Sequence, residues 1–182
     1  MNAITLLRQD HRTVEKLFVD FEKAGDRAYK SKRDIVDALI RELSIHAAIE
    51  EEVFYPAARR AASATTGLVL ESIEEHHVVK WLLHELEKLD AQDETFDAKV
   101  AVLTESVRRH VEEEEGDLFP HVEKGLSEER LEELGSELQK AKASAPTRPH
   151  PRGSAVPSPA DLMVDTVTGI GERARDVVNR VR

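Results

Sequence analysis

The sequence repeats one pattern of histidines, aliphatic residues and a proline at an offset of 64 or 65 residues. The segment 11–17, read as H-xx-V-xx-L, recurs at 76–82, and an acid precedes the histidine in both copies. The segment 39–50, read as L-xxx-L-xx-H-xxx-E, recurs with one Leu-to-Val change at 103–114, and Pro56 recurs as Pro120. The repeat therefore predicts two copies of one helical hairpin, packed about a pseudo-twofold axis so that matching residues face each other.

Apolar residues with a period near 3.6 predict helices over 3–23, 31–62, 68–89, 95–124 and, shorter than these, 127–143. Ser31, with Asp34 three residues later, is the expected start signal of the second helix. Long helices with short connections favour an all-α fold. We expect an up-down-up-down four-helix bundle built from the two repeated hairpins, plus a short fifth helix and a Pro-rich tail with a C-terminal helix.

The amino-acid composition changes near residue 143, where we expect the helical bundle to end. Five of its seven prolines fall between residues 144 and 160, which predicts an extended linker. Residues 161–182 place apolar side chains at helical spacing, with four Arg after residue 171. The predicted domains are thus a bundle over 1–143, a linker over 144–160 and an amphipathic segment over 161–182. That segment either docks on its own bundle or binds a partner protein or an anionic membrane surface.

Charge and composition limit the classes of function that this chain can have. The net charge is −10, and an acidic chain is a poor ligand for nucleic acid, because phosphates are repelled. No apolar run approaches the roughly 20 residues of a membrane span, so no stable membrane insertion is expected. The first residues do not read as a signal peptide, which favours a cytoplasmic location. There is no Cys, so any metal must be held by His, Asp, Glu or Tyr.

The repeated histidines and glutamates suit a metal site. His46 and Glu50 lie one helical turn apart and share a face, as do His110 and Glu114. The pattern adds one histidine from each of the other two helices, at positions 11 and 76. Imidazole and carboxylate without thiolate favour iron or manganese, and two carboxylates able to bridge favour a dinuclear site. The alternative is a bundle with a hydrogen-bonded polar layer and no metal.

These motifs resemble the hemerythrin-like, HHE cation-binding domain family. The matching stretches are DH at 10–11, H-xxx-E followed by VFYP at 46–56, EH at 75–76, and H-xxx-EE followed by DLFP at 110–120. The resemblance covers about residues 1–143 and implies a four-helix bundle with a non-haem di-iron centre, hence two irons per chain. By position, it implies four histidine ligands and two bridging glutamates: His11, His46, His76, His110, Glu50 and Glu114.

One position departs from the family pattern. Oxygen-carrying hemerythrins have a fifth histidine one turn after the third-helix histidine, where this chain has Lys80. Without that ligand the site would keep an additional open position, which favours reaction with dioxygen or hydrogen peroxide, in oxidative-stress defence, over reversible carriage. The alternative function is a non-enzymatic iron or oxygen sensor that signals through the C-terminal segment. Lys80 itself is either solvated or a cation near the site.

Three residues stay open as replacements for, or additions to, the ligand set: Glu15, His77 and Glu115. Acids adjacent to the ligands in sequence, Asp10, Glu51 and Glu75, are expected to face elsewhere, because neighbours on a helix point about 100° apart. Tyr55 is expected to pack beside Pro56, and Trp81 to lie in the core or at the rim of the site.

Overall fold

A computed structural model describes residues 1–149, and within this range the chain is helical and contains no strand. The seven α-helices are α1 (Ala3–Lys23), α2 (Tyr29–Ile49), α3 (Tyr55–Ala61), α4 (Thr65–Lys88), α5 (Phe96–Glu113), α6 (Phe119–Gly125) and α7 (Glu128–Ser144). α2 continues into α3, and α5 into α6, through short π-helical turns. The result is four long helical runs plus α7, which confirms the predicted all-α bundle with its fifth helix. The predicted C-terminal helix and most of the predicted linker lie outside the described residues.

Side-chain caps begin two of the helices. Asn2 Oδ1 accepts a hydrogen bond from the Thr5 amide at 2.9 Å, and Ser127 Oγ accepts one from the Arg130 amide at 3.2 Å. The predicted start of the second helix at Ser31 is wrong, because α2 begins at Tyr29. A turn in which the Ala28 amide donates to the Gly25 carbonyl leads directly into that helix, so no side-chain cap is needed.

A wide turn precedes the proline in both copies of the repeat. Proline has no amide hydrogen, and in an α-helix its ring would clash with the carbonyl four residues earlier. The chain relieves this with five-residue π-helical turns, Glu50–Phe54 and Glu114–Leu118. The Tyr55 amide donates to the Glu50 carbonyl and the Phe119 amide to the Glu114 carbonyl, five residues back instead of four. Each wide turn begins at one of the two predicted bridging glutamates, as is common for π-turns at functional sites.

Two apolar clusters fill the bundle, with a polar layer between them. One cluster contains Leu7, Ile49, Ile73 and Leu118, and the other contains Val14, Leu43, Val79 and Val107. On each helical run, the predicted ligands fall in sequence between a member of one cluster and a member of the other. The layer is therefore enclosed by hydrocarbon above and below, which keeps it away from bulk water.

α7 closes the end of the bundle that holds the first cluster. Its buried residues Leu131, Leu134 and Leu138 belong to that cluster. Gly135 allows α7 to lie directly against the start of the chain, since a Cβ there would be 2.3 Å from the Met1 carbonyl oxygen. Among residues 1–149, no helix combines the length and the apolar composition needed to cross a bilayer.

Candidate metal centre

The structure brings all six predicted ligand side chains into one buried layer, where none is more than 5% exposed. α1, α2, α4 and α5 contribute one histidine each, and the two π-turns contribute one glutamate each: His11, His46, His76, His110, Glu50 and Glu114. Matching residues of the two copies of the repeat therefore lie together in the same buried layer.

The six side chains form two groups that share a carboxylate. His11 and His46 lie with both glutamates in one group, and His76 and His110 lie with Glu50 in the other; the potential ligand atoms of each group are all within 4.8 Å of one another. Glu50 Oε2 is 3.2 Å from His46 Nε2 and 3.4 Å from His76 Nε2. Glu114 Oε2 is 3.4 Å from His11 Nε2 and 3.9 Å from His110 Nε2. Each glutamate thus faces one histidine of each group, so either carboxylate could contact a cation held by either pair of histidines.

The facing histidine nitrogens fit cation ligands. His11 Nε2 is 3.1 Å from His46 Nε2, and His76 Nε2 is 3.3 Å from His110 Nε2. When the Nδ1 atom of a neutral imidazole carries the proton, its Nε2 atom carries only a lone pair, so two such atoms repel at this distance. Two nitrogens bound at right angles to one ion, each at about 2.1 Å, would lie about 3 Å apart. The observed spacings match that geometry.

The two glutamates lack any other partner. All four of their carboxylate oxygens are buried and none accepts a hydrogen bond. Burial, and then the nearby charge of Glu114, raises the pKa of Glu50 well above its ordinary value. Burial opposes ionisation of Glu114 too, but the neighbouring histidines, His11 first, lower its pKa to about 2. Buried carboxylates without hydrogen bonds are costly unless a cation compensates them, so this donor set fits a metal.

The outer nitrogens of the histidines face a second set of acids. The Nδ1 atoms of three histidines lie within hydrogen-bond distance of a carboxylate: His11 with Glu115 at 2.7 Å, His76 with Glu51 at 3.0 Å, and His110 with Glu75 at 2.9 Å. His46 Nδ1 is 3.8 Å from Asp10 Oδ2, too far for a hydrogen bond. An Nδ1–H that donates to a carboxylate fixes the tautomer and the orientation of the ring, with the Nε2 lone pair directed inward.

The expectation that Asp10, Glu51 and Glu75 face elsewhere is wrong. Each does point away from its sequence neighbour, but in a four-helix core that direction leads to the adjacent helix. Glu75, beside His76 on α4, reaches His110 on α5, and Glu51, beside Glu50, reaches His76. The repeat contained the information needed to predict these acids, because Glu75 corresponds to Asp10, and Glu115 to Glu51, at the same sequence offsets as the predicted ligands.

Lys80 is a buried cation one contact away from the site. Its Nζ atom lies 2.6 Å from both carboxylate oxygens of Glu51, whose Oε1 also faces His76. Burial would raise the pKa of Glu51, but His76 and then Lys80 hold it below its ordinary value. Lys80 therefore acts on the site through Glu51, which it holds beside His76.

The two sides of the layer differ in their aromatic neighbours. Tyr55 is buried as expected, and its hydroxyl also reaches the layer, 3.3 Å from His76 Nε2. The matching residue of the other copy is Phe119, whose ring stacks on His11 at a centroid distance of 5.9 Å. Burial and the two nearby glutamates raise the pKa of Tyr55 well above its ordinary value, so it carries its proton at neutral pH.

The three residues that the sequence left open lie around the layer. Glu15 is exposed and pairs with Arg108 at 2.8 Å, while His77 pairs with Glu74 at 3.2 Å. Glu115 contacts the outer nitrogen of His11, as described above. The expectation that Trp81 lies in the core or at the rim of the site is wrong, because its side chain is 52% exposed.

A small cavity adjoins the histidines. Its volume is about 20 Å³, and it is lined by the four histidines together with aliphatic side chains that include Val14, Val79 and Val107. This is room for about one molecule of the size of water. The walls other than the histidines are aliphatic, so the histidines supply the polar groups of this cavity.

Comparison with known proteins agrees with this geometry. A family model described as the hemerythrin HHE cation-binding domain matches residues 2–122. An uncharacterized hemerythrin-like protein of Schizosaccharomyces pombe is 27% identical over 173 residues, which cover 94% of this chain and 84% of that protein. A DNA nickase of Nostoc sp. is 29% identical over 148 residues, which cover 81% of this chain but only 41% of the nickase.

A solved structure shares the fold. The crystal structure of a hemerythrin HHE cation-binding domain-containing protein from Mycobacterium kansasii superposes with a TM-score of 0.66 at 26% sequence identity. The match covers 79% of this chain and 89% of that one. With the family model spanning most of the described residues, this chain belongs to the hemerythrin HHE cation-binding domain family.

Proposed function

We propose that this chain is a cytoplasmic non-haem di-iron protein that binds or reacts with dioxygen or hydrogen peroxide in oxidative-stress defence. The observation that carries the proposal is the pair of histidine groups joined by Glu50, with Glu50 and Glu114 lacking any other partner. Nitrogen and carboxylate donors without thiolate suit iron. When bound, two irons would supply redox electrons and open coordination positions for the oxidant.

The surrounding residues support that chemistry in three ways. The acids at the Nδ1 atoms of His11, His76 and His110 keep these three imidazoles oriented with the Nε2 lone pair inward. The Tyr55 hydroxyl, 3.3 Å from His76 Nε2, holds a proton at the edge of the layer. The cavity of about 20 Å³ beside the histidines has aliphatic walls apart from the imidazoles, so little water can gather next to the nitrogen atoms. DNA cleavage, the activity named for the Nostoc relative, fits this chain poorly, because a net charge of −10 repels phosphate.

Metal content and turnover test the proposal together. Protein from iron-supplied cells should contain about two irons per chain, and peroxide consumption should scale with the iron content. His46→Ala and His110→Ala should lose iron and turnover, while His84→Ala, which alters a partly exposed histidine beside Glu87, should lose neither. A folded protein that holds no iron and takes up no added ferrous iron would refute the di-iron interpretation.

A second candidate is a non-enzymatic iron or oxygen sensor acting through a protein partner of the C-terminal segment. It is favoured by one contact: Lys142 Nζ on α7 lies 2.5 Å from Asp10 Oδ1, and Asp10 faces His46. α7 leads directly into the C-terminal part of the chain, so a change at His46 has a route to it. A sensor should show iron-dependent protease cleavage within residues 144–182 and negligible peroxide turnover.

A further inference from the structure

α4 and α5 expose large apolar side chains next to each other. Val78 and Trp81 on α4 and Val102 on α5 are each 52% exposed. Val78 and Trp81 are three residues apart and so share a helix face. Lys99, one turn before Val102, places its Nζ atom 5.3 Å from the Trp81 ring centroid, which brings the two helices' outer faces together. We call Val78, Trp81 and Val102 the α4–α5 patch; exposed apolar side chains that adjoin one another can pack against a further apolar surface.

The rim of the α4–α5 patch is mainly acidic. Three acids that are not fully buried lie one helical turn from a patch residue: Glu74, Glu85 and Glu105. Two bases lie near them, and both have acidic neighbours: Lys99 Nζ is 4.0 Å from Glu85, and Arg109 is 2.9 Å from Glu75. The patch therefore suits an apolar surface that is bordered by positive charge.

The chain leaves the described region close to this patch. Arg148 forms an ion pair with Glu87 on α4. Glu87 follows Trp81 by six residues, which is about 9 Å along the helix axis. Residues 150–160, four of which are proline or glycine, can span about 34 Å when extended. The segment 161–182 is thus tethered within reach of the patch.

The pattern of that segment complements the patch. Its apolar residues alternate four and three apart, the spacing of a helix seam that packs on other helices: Met163, Val167, Ile170, Ala174, Val177 and Val181. At about 100° per residue, three of its four arginines flank this seam, while Asp165, Glu172 and Asp176 fall on the opposite face. An apolar seam bordered by Arg would meet apolar residues bordered by Glu.

We propose that residues 161–182 form an amphipathic helix that docks on the α4–α5 patch of the same chain and covers Trp81. A tether of this length holds the segment at an effective concentration in the millimolar range, which favours it over a second copy of the chain. The docked helix would lie on α4, the helix that carries His76 and Lys80. It would also explain why this face of the bundle carries exposed Val and Trp side chains.

The chain's single tryptophan makes a direct test possible. In the full-length protein, emission from Trp81 should be blue-shifted and resist quenching by acrylamide. Ile170→Asp, in the seam, should raise the quenching constant by about twofold, because it would release a segment that otherwise covers Trp81, a side chain that is 52% exposed in the structure. Thr168→Asp adds the same charge outside the seam and should leave quenching unchanged. Val102→Asp, on the patch itself, should reproduce the effect of Ile170→Asp, and all four proteins should be compared at equal iron content.

Three results would overturn the proposal. Trp81 could be quenched as readily in the unaltered chain as in Ile170→Asp, which would leave the patch uncovered. Its protection could rise with protein concentration, which would make the occupant a second copy. Its protection could require added phosphatidylserine vesicles, which would make the segment a membrane ligand. None of these outcomes depends on peroxide turnover, so the docking proposal and the proposed function can fail separately.

Discussion

Replacing Glu50 by Gln should change the stability of the protein in opposite directions with and without metal. Gln has the same shape but no charge, and its amide can donate to a neighbouring Nε2 atom. In the metal-free protein at pH 7, Glu50 is fully buried, has no hydrogen-bond partner and shares the layer with Glu114. A buried polar group in this state costs about 1–3 kcal/mol, so Glu50→Gln should stabilise the metal-free protein by about that amount.

The metal-loaded comparison should show the reverse. A metal that binds only the folded state adds about 2.7 kcal/mol at a hundredfold excess over its Kd. Glu50→Gln removes a carboxylate that both histidine groups share, so most of that increment should be lost. Urea unfolding followed by helical circular dichroism, with a chelator in one series and anaerobic ferrous iron in the other, measures both differences.

Glu15→Gln is the matched control for Glu50→Gln. Glu15 also follows a histidine by four residues, but it is exposed and pairs with Arg108. An exposed ion pair contributes about 0–1 kcal/mol, so the control should change stability little and equally in both series. The reasoning is refuted if Glu50→Gln destabilises the metal-free protein, because the carboxylate would then be stabilising the fold without a cation.

Three further predictions concern stability. Burial lowers the pKa of His46 from 6.5 to about 4, so the unfolded chain takes up a proton at this residue before the folded protein does as the pH falls. The free energy of unfolding of the metal-free protein should therefore fall by about 3 kcal/mol between pH 6.5 and 4, relative to that of His46→Gln, when both are measured by urea unfolding at each pH. Lys80→Met leaves the buried Glu51 without its cation and should lower the free energy of unfolding by about 3 kcal/mol, which would appear as a lower urea midpoint. An unchanged midpoint would show that Lys80 does not stabilise Glu51. Gly135→Ala should lower the melting temperature, because its Cβ would meet the Met1 carbonyl, whereas Gly67→Ala, with no atom within 4 Å, should not.

The sequence predicted the histidine and glutamate positions because the repeat overdetermines them. A single His-xxx-Glu match, such as His11 with Glu15, carries little information, and Glu15 indeed lies outside the layer. Four histidines and two glutamates lie in register on the apolar faces of four helices. When those faces pack together in the core, the six side chains are buried in one layer. The ligand assignment itself stays a prediction, whereas the burial and convergence of these side chains are observed.

The acids around the histidines escaped prediction because helical periodicity describes one helix at a time. A residue 100° from a ligand leaves the face of its own helix, but in a bundle it then meets the next helix. Glu75 and Glu51 therefore reach histidines that are distant in sequence, and only the tertiary arrangement reveals the pairing. The prediction for Trp81 failed for a different reason: large aromatic residues are usually buried, yet α4 turns this side chain outward.

The sharing of Glu50 between the two histidine groups has a kinetic consequence. Each hairpin supplies two histidines, and the glutamates of the π-turns face histidines of both hairpins. In the proposed di-iron form, a metal ion could leave only when the hairpins separate and the hydrocarbon on either side of the layer opens. The rate of metal loss to an excess of chelator should then be independent of chelator concentration. It should equal the rate at which the bundle opens. The time for which the protein keeps its metal would then depend on how rarely the bundle opens, as well as on the affinity of the site.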